Sequence, residues 1–287
     1  MGSIATKLLL WGSLLALAGC GTVQTSQRMT PPGERLSLTA VSEPLGINDV
    51  SIGTYRVPEA TFAVRKYVTV SKTAGAFGAL GAIAVHSSGA DASKASVEGV
   101  EGIFRFDMAA ETIRVMRALR AQGHGSPNIA VDGAGGGATL RLKPHGYLTT
   151  MDGNTARLYV IVKSELLDKS GAEQWWSRYI YYVPGEYPIK GAGSWSANNG
   201  RLLREKFAEG LAEAGKALLK EARGAAWDEK PARIKMKIPG LDETLAMDGV
   251  VLGQTDKSVI LSPKTNTISL FYGVSIIPRN EVEFSPL

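Results

Sequence analysis

The chain contains 287 residues, of which 44% are hydrophobic and 21% are charged, and its formal net charge is +5. These proportions are typical of a globular protein, and they exclude a disordered chain, a coiled coil and a membrane protein with many spans. Like charges are never clustered in a run of five or more, so the sequence predicts no nucleic-acid binding. The length is sufficient for one to two domains.

Residues 1–19 have the pattern of a secretion signal. Their apolar run, residues 8–17, is too short to cross a hydrocarbon layer of about 30 Å as a helix. The run ends in LAGC at residues 17–20, and this ending resembles the lipobox of bacterial lipoproteins. The resemblance implies that the chain is cleaved between Gly19 and Cys20 and that Cys20 receives fatty acyl groups such as palmitate. A plain secretion signal followed by an unrelated cysteine is the alternative.

The sequence after the lipobox predicts where the protein is held. Cys20 is the only cysteine, and the residue after it is Gly21 rather than Asp, a pattern similar to lipoproteins of the outer membrane. The resemblance implies a lipid-anchored protein that faces the periplasm. Two or more acyl chains hold a protein stably at a membrane, at about 0.8 kcal/mol per buried CH₂ group. Residues 20–45 are rich in Thr, Ser and Pro and predict a flexible tether.

The first domain is assigned to residues 46–228 and begins with strand-forming residues over 50–72. Residues 73–85 are uncharged and apolar, with a glycine at every third position. One interpretation is a loop or short helix packed on a sheet, and the other is an element that contacts a membrane or a partner. The candidate contact residues are Gly75, Phe77, Gly78, Leu80, Gly81 and Ile83. The polar run at 86–97 predicts a surface loop.

Periodicity predicts two helices and three strands in the rest of this domain. Residues 107–122 predict a helix with Asp107 as its N-cap, and apolar residues at steps of three and four predict a longer helix over 199–223. Alternation predicts strands at 138–150, 156–167 and 173–183. The predicted fold class is α+β: an antiparallel sheet, made of this three-strand meander plus an N-terminal strand, is packed by the two helices.

Residues 229–287 follow a short linker and are assigned to a second domain. Five short strands are predicted at 234–238, 249–254, 258–262, 267–272 and 281–284. Their number and spacing predict a small C-terminal β-barrel. The stretch DGVVLGQTDKSVILSP is similar to small SH3-like or Sm-like barrels, a similarity that implies no ligand.

An aromatic cluster lies in and after the third strand of the meander. Its members are Trp175, Trp176, Tyr179, Tyr181, Tyr182 and Trp195. Successive residues of a strand face opposite sides of the sheet, so half of the strand's aromatic side chains face away from a single core. Either the helix at 107–122 or the linker covers them, or they form an exposed interface for a partner.

The sequence predicts no catalytic residues and no metal or cofactor site. His86, His124 and His145 are scattered and do not form a pair with metal-binding spacing. The glycines at 133–137 precede a strand, whereas a dinucleotide-binding fingerprint follows one and opens a helix. We therefore expect a protein that is not an enzyme.

Residues 138–223, through TARLYVIVKSELLDKSGAEQWWSRYIYY and the following helix, look like the α+β lipoproteins of Gram-negative outer membranes. This group includes the curli-secretion lipoprotein, the lipopolysaccharide-assembly lipoprotein and auxiliary lipoproteins of transport systems. The resemblance implies a non-catalytic accessory or assembly subunit of a cell-envelope complex, with an envelope protein or a second copy of the chain as its partner. A lipoprotein that binds a lipid or glycan between the sheet and the long helix is the alternative. A cell-envelope hydrolase is a third hypothesis, which only the expected location supports.

Overall fold

A computed structural model describes residues 23–46, 49–51, 53–66, 89–131, 137–150, 155–237, 244–267 and 269–287. The predicted cleavage site at Gly19 and Cys20 lies outside these ranges. The candidate contact residues between Gly75 and Ile83 also lie outside them, as does His86.

The described part of the chain contains thirteen strands and three helices. The strands are β1 (Leu36–Ala40), β2 (Tyr55–Arg56), β3 (Phe62–Lys66), β4 (Ile129–Val131), β5 (Ala138–Thr150), β6 (Thr155–Leu167), β7 (Glu173–Tyr182), β8 (Tyr187–Pro188), β9 (Lys230–Lys237), β10 (Thr244–Gln254), β11 (Ser258–Pro263), β12 (Val274–Pro278) and β13 (Val282–Pro286). The helices are α1 (89–97), α2 (Met108–Ala121) and α3 (Ala197–Ala222). Single 3₁₀ turns cover Glu101–Phe104 and Arg279–Glu281.

The two predicted helices are found as α2 and α3, whereas the loop predicted at 86–97 is wrong over its described residues. Asp107 caps α2, because its side chain accepts a hydrogen bond from the backbone N–H of Ala110 at 2.9 Å. The regular part of α3 begins after three residues with positive φ, residues 198–200. α1 occupies part of the predicted loop, and its Ser93 and Val97 are fully buried.

The predicted fold class is wrong, because the strands form one open, mixed sheet. Its order is β13-β9-β10-β11-β12-β7-β6-β5-β1-β4, with β3 also beside β5. β1 and β3 run parallel to β5, so the N-terminal strands do not extend an antiparallel meander. β12 pairs in parallel with β7, so β9–β13 continue the same sheet instead of forming a small barrel. Short strands separated by turns have the same sequence pattern in a small barrel and in an open sheet, so this pattern could not distinguish the two.

Two short strands share one edge of β5. β1 pairs with residues 138–142 of that strand, and β3 pairs with residues 146–150. Pro144 lies between them, where its backbone faces the gap between the two neighbours. Its missing N–H therefore removes no hydrogen bond from the sheet. Gly146 follows, and a Cβ atom there would lie 2.0 Å from Cε1 of Phe62.

Both faces of the sheet are covered by hydrophobic cores. α2 and α3 pack on one face and form the first core, in which Phe207 is fully buried. The second core lies on the opposite face and joins Tyr159 and Ile180 of the meander to Ile234 and Leu261 of the C-terminal strands. Both halves of one sheet contribute the same face to this core. The sheet therefore curls, and its C-terminal half covers its N-terminal half.

The flexible tether predicted for residues 20–45 is wrong for the described residues that dock on the domain. Gln24 exchanges two backbone hydrogen bonds with Thr265, at 2.9 and 2.8 Å. The indole Nε1 of Trp175 donates to the carbonyl oxygen of Gln27 at 2.9 Å. Residues 36–40 then enter the sheet as β1. We call residues 23–31 the N-terminal strap.

Gly146→Ala should lower the free energy of unfolding by about 1–3 kcal/mol, because the added methyl group overlaps the buried ring of Phe62. Urea denaturation of the whole chain measures the change. Gly253→Ala in β10 is the matched control, since a Cβ atom there meets nothing within 4 Å. It should change the stability by less than about 0.5 kcal/mol. Equal losses in the two variants would show that the contact with Phe62 is not the cause.

Candidate functional site

A cavity of about 300 Å³ lies beside the C-terminal half of α3, between this helix and strands β10–β12. We call it the Trp227 pocket. It is bounded by Lys216 and Lys220 of α3, by the C-cap residue Arg223, by Trp227, and by Ile260 and Ile276 of the sheet. Its volume is at the lower end of the range for ligand pockets, about 300–1,000 Å³.

Helical periodicity brings the cations of the pocket together. Lys216, Lys220 and Arg223 are spaced by four and three residues, so they lie on one flank of α3. A neighbouring stripe of the same helix, which includes Leu211 and Leu218, is fully buried in the first core. The chain leaves the helix through a short connection that contains Trp227 and places the indole against the end of α3.

The three cations of the pocket have different neighbours. Lys216 forms an ion pair with Glu213 at 2.6 Å. The Nζ atom of Lys220 lies 4.1 Å from the centre of the Trp227 ring, a cation–π distance. Arg223 has no ion-pair partner in the part of the chain that the structure describes. Positive charge at the pocket therefore exceeds negative charge, and the arrangement is suited to an anionic group.

The indole of Trp227 differs from those of two other tryptophans. Its Nε1 atom is buried and has no hydrogen-bond acceptor among the described residues. By contrast, Trp175 donates to the carbonyl oxygen of Gln27, and Trp195 donates to that of Ala156 at 2.8 Å. Buried indole N–H groups usually find an acceptor. The position of Trp227 thus depends on packing and on Lys220 rather than on a hydrogen bond.

The middle of α3 lies directly on the sheet and on α2. A Cβ atom at Gly210 would lie 2.5 Å from Cγ2 of Val160, and one at Gly215 would lie 2.8 Å from Cδ1 of Leu119. Over this stretch of described residues there is no room for the lipid or glycan that the sequence places between the sheet and the long helix. Space is found on the flank of the helix, in the Trp227 pocket.

A second group of charged side chains lies at one end of the curled face of the sheet. Glu165 contacts Nη2 of Arg141 at 2.6 Å and Nζ of Lys143 at 3.0 Å. Nη2 of Arg178 contacts Oδ1 of Asp49 at 2.6 Å. These pairs connect β5, β6, β7 and the loop before β2. Their geometry is that of a structural network, because each buried carboxylate is matched by cations.

Burial and neighbouring charges set the protonation of this network. Burial raises the pKa of Asp49, but its hydrogen bond and ion pair with Arg178 outweigh burial, and the pKa lies below its usual value. Burial also raises the pKa of Glu165, and Lys143 together with Arg141 lowers it further than burial raises it. His145 is buried among these groups, and burial is the main cause that lowers its pKa to about 4. The imidazole is therefore neutral at pH 7.

The aromatic cluster is covered on both faces of the sheet, so the exposed interface predicted for it is wrong. Trp175, Tyr179, Tyr181 and Trp195 lie in the first core, and Tyr182 lies in the second. Trp176 is half-buried and packs against Tyr272, with ring centres 4.9 Å apart. The helices cover one face of the sheet and the C-terminal strands cover the other. Aromatic side chains on both faces of β7 are therefore buried.

The sequence did not predict the Trp227 pocket, nor the surroundings of the two described histidines. His124 borders the pocket, and His145 belongs to the charged network. Within the described ranges, no three or more His, Cys, Asp or Glu side chains are grouped so that they could hold a metal ion. No helix in those ranges is long and apolar enough to cross a membrane.

Comparison with known proteins adds no relative. No protein-family model matches this sequence, and no curated protein is significantly similar to it. Inferences about function therefore rest on the residues and their geometry.

His145→Gln should flatten the dependence of stability on pH between about 6.5 and 4. In this window the unfolded imidazole binds a proton and the buried one does not, so the wild-type loses stability as the pH falls. The shift corresponds to about 3 kcal/mol at 1.36 kcal/mol per pKa unit. Urea midpoints at pH 7 and pH 4.5 measure the effect.

His124→Gln is the control for this experiment, since it leaves the buried imidazole in place and should keep the full decline. Below about pH 4, protonation of Asp49 and Glu165 adds a further loss in every variant, because both pKa values are lowered in the folded state. A decline of unchanged size in His145→Gln would rule out the imidazole as its source.

Proposed function

We propose that this protein is a lipoprotein of the outer membrane that faces the periplasm and serves as a non-catalytic accessory or assembly subunit of a cell-envelope complex. Acylated Cys20 is its anchor in this proposal, and an envelope protein or a second copy of the chain is its partner. The lipobox at residues 17–20 supports the anchor. The observation that carries the proposal is the docked N-terminal strap.

The strap limits the distance between the anchor and the domain. Gln24 is fixed to Thr265, and it follows Cys20 by only four positions in the chain. Four extended residues span at most about 14 Å. Met29 is buried, and its N–H donates to Oε1 of Glu221 at 2.7 Å, so the strap is held at both ends. An acylated Cys20 would thus keep the domain against the membrane surface.

The strap lies at one end of the sheet, and Lys66 and Gly89 lie at the other. Trp175, which binds the strap, is level with Leu140, whereas Lys66 is level with Thr150. Ten residues of β5 separate these levels, or about 34 Å at 3.4 Å per residue. Gly89 is close to Lys66, since Ser93 accepts from the N–H of Lys66 and donates to the carbonyl oxygen of Gly89.

This separation along the sheet favours a protein partner for the apolar segment at 75–83. Large hydrophobic side chains of the described residues are exposed only at Val23 and Leu287. We therefore assign the partner contact to the apolar glycine-rich sequence at 75–83, on its composition. Lys66 and Gly89, the described residues on either side of it, lie far from the strap. This distance supports contact with an envelope protein or a second copy over contact with the anchoring membrane.

The use of the buried charges supports a non-catalytic role. Glu165 is matched by Arg141 and Lys143, and Asp49 by Arg178. Glu221 accepts hydrogen bonds from the N–H of Met29 and from the hydroxyl of Tyr179 at 2.9 Å. Groups that are fully engaged with one another stabilise the fold, whereas a general acid or base needs access to a substrate proton.

Cys20→Ala should abolish incorporation of an alkyne-labelled palmitate and should leave the signal uncleaved or the mature chain unanchored, since the variant lacks the acylated sulfur. Gel fluorescence of the labelled chain is the deciding measurement, because an uncleaved signal could keep the variant in the membrane fraction. The control is Cys20→Ala compared with wild-type by circular dichroism, which should agree. Undiminished acyl labelling of the variant would disprove the anchor.

A photo-crosslinking amino acid at Phe77 should give a protein adduct of defined mass, because Phe77 belongs to the apolar segment proposed as the partner contact. One at Val23 should give lipid adducts, because Val23 is exposed and follows the proposed anchor Cys20 by three positions. Mass spectrometry after irradiation of intact cells identifies the adducts. The exposed turn residue Asp256 is the control for random collisions. Lipid adducts at Phe77, without a protein adduct, would argue against the accessory role of this segment.

A further inference from the structure

We propose that the Trp227 pocket binds an anionic amphiphile, with one acyl chain in the cavity and a carboxylate or phosphate head group on Lys220 and Arg223. This binding site goes beyond the accessory role and does not depend on it. The apolar walls of the cavity, its cations and the hydrogen bonds already made by its polar groups each limit the class of ligand.

The walls of the cavity are suited to an acyl chain. Ile260 and Ile276 project from β11 and β12, Ala217 faces them from α3, and the indole of Trp227 forms another side. Ligand pockets are mostly apolar, with a few polar groups that fix orientation. A volume of about 300 Å³ is at the lower limit of that class and holds one chain rather than two.

The head group is assigned to the side of α3. Lys220 and Arg223 are one turn apart, and Lys216 is already paired with Glu213. Cations in a final helical turn stabilise the helix dipole with or without a ligand, but the dipole does not account for a cavity beside them. The same dipole gives the helix end a partial negative charge. Two full positive charges, on Lys220 in the last turn and on Arg223 at the C-cap, outweigh this partial charge of about half a unit.

The opposite wall argues against a saccharide. Oγ1 of Thr255 accepts from the backbone N–H of Ser258 at 2.9 Å, and Oε1 of Gln254 accepts from Arg279 at 2.5 Å. Thr255 serves the turn between β10 and β11, and Gln254 binds the 3₁₀ turn that follows β12, so both oxygens are already engaged. A sugar needs many such partners, because each buried hydroxyl without one is unfavourable. An acyl chain needs none.

The test uses the full chain in native membranes and three photoreactive probes that carry a diazirine in the acyl chain. These are a fatty acid, the matched fatty alcohol and a phosphatidylglycerol. The fatty acid should label peptides that contain residues 213–223 or 253–260, and the neutral alcohol should not. Labelling by phosphatidylglycerol in place of the free acid would assign the head group to a membrane lipid.

Competition measures the contribution of the chain. Unlabelled hexanoate, octanoate and decanoate should displace the probe with an affinity that rises about fourfold per CH₂ group, the value for transfer of one methylene from water. Inorganic phosphate, which lacks the chain, should not displace it. Displacement by glucuronate but not by decanoate would overturn the proposal in favour of a saccharide site.

Variants separate this site from general attraction to membranes. Lys220→Gln with Arg223→Gln should lower the labelling at least about tenfold, as expected when a charge-assisted contact is lost. Arg201→Gln is the matched control, because Arg201 is an exposed cation at the other end of α3 and should leave labelling unchanged. Equal labelling by the acid and the alcohol, undiminished labelling of the double variant, or labelling only outside these peptides would refute the proposal.

Discussion

The parallel pairing of β12 with β7 is the contact on which the rest of the molecule depends. Three residue pairs form it, and a Cβ atom at Gly273 would lie 2.1 Å from the carbonyl oxygen of Arg178, so the backbones approach closely just before β12 begins. Parallel neighbours cannot be joined by a hairpin. The chain must cross over between them, and α3 lies in that crossover. The second core, the pocket wall and the strap's contact with Thr265 all follow from this placement of the C-terminal strands.

Local periodicity was sufficient to predict most of the helices and strands, but it could not predict how the strands pair. Alternation identifies β5, β6 and β7, and steps of three and four residues identify α2 and α3, because each signal is contained in one segment. The pairing of β12 with β7 joins segments almost a hundred residues apart through three residues each. The strand predicted at 267–272 shows the same limit, since its Leu270 turns into the second core and the strand forms later, at Val274–Pro278.

The sequence did not predict the strap contacts or the pocket, because each is formed by two segments that lie far apart in the chain. A Thr-, Ser- and Pro-rich composition indicates weak intrinsic structure, but it does not indicate whether distant partners such as Trp175 and Glu221 bind the segment. For the pocket, the spacing of Lys220 and Arg223 followed by Trp227 was a usable signal in the sequence. The other wall comes from the β10–β11 hairpin, whose position depends on the pairing of β12 with β7.

The strap can dock only when most of the chain exists. Its partners all come late in the chain, and the earliest of them, Trp175, follows Gln27 by 148 residues; the others are Glu221, Ser262, Thr265 and Tyr272. A chain that is synthesised and exported from its N-terminus must therefore carry residues 23–31 undocked until nearly the whole domain has emerged. If the protein is the lipoprotein proposed above, this interval would allow processing at Cys20 before the strap docks. Docking of the strap would then shorten the chain between the proposed anchor and the domain.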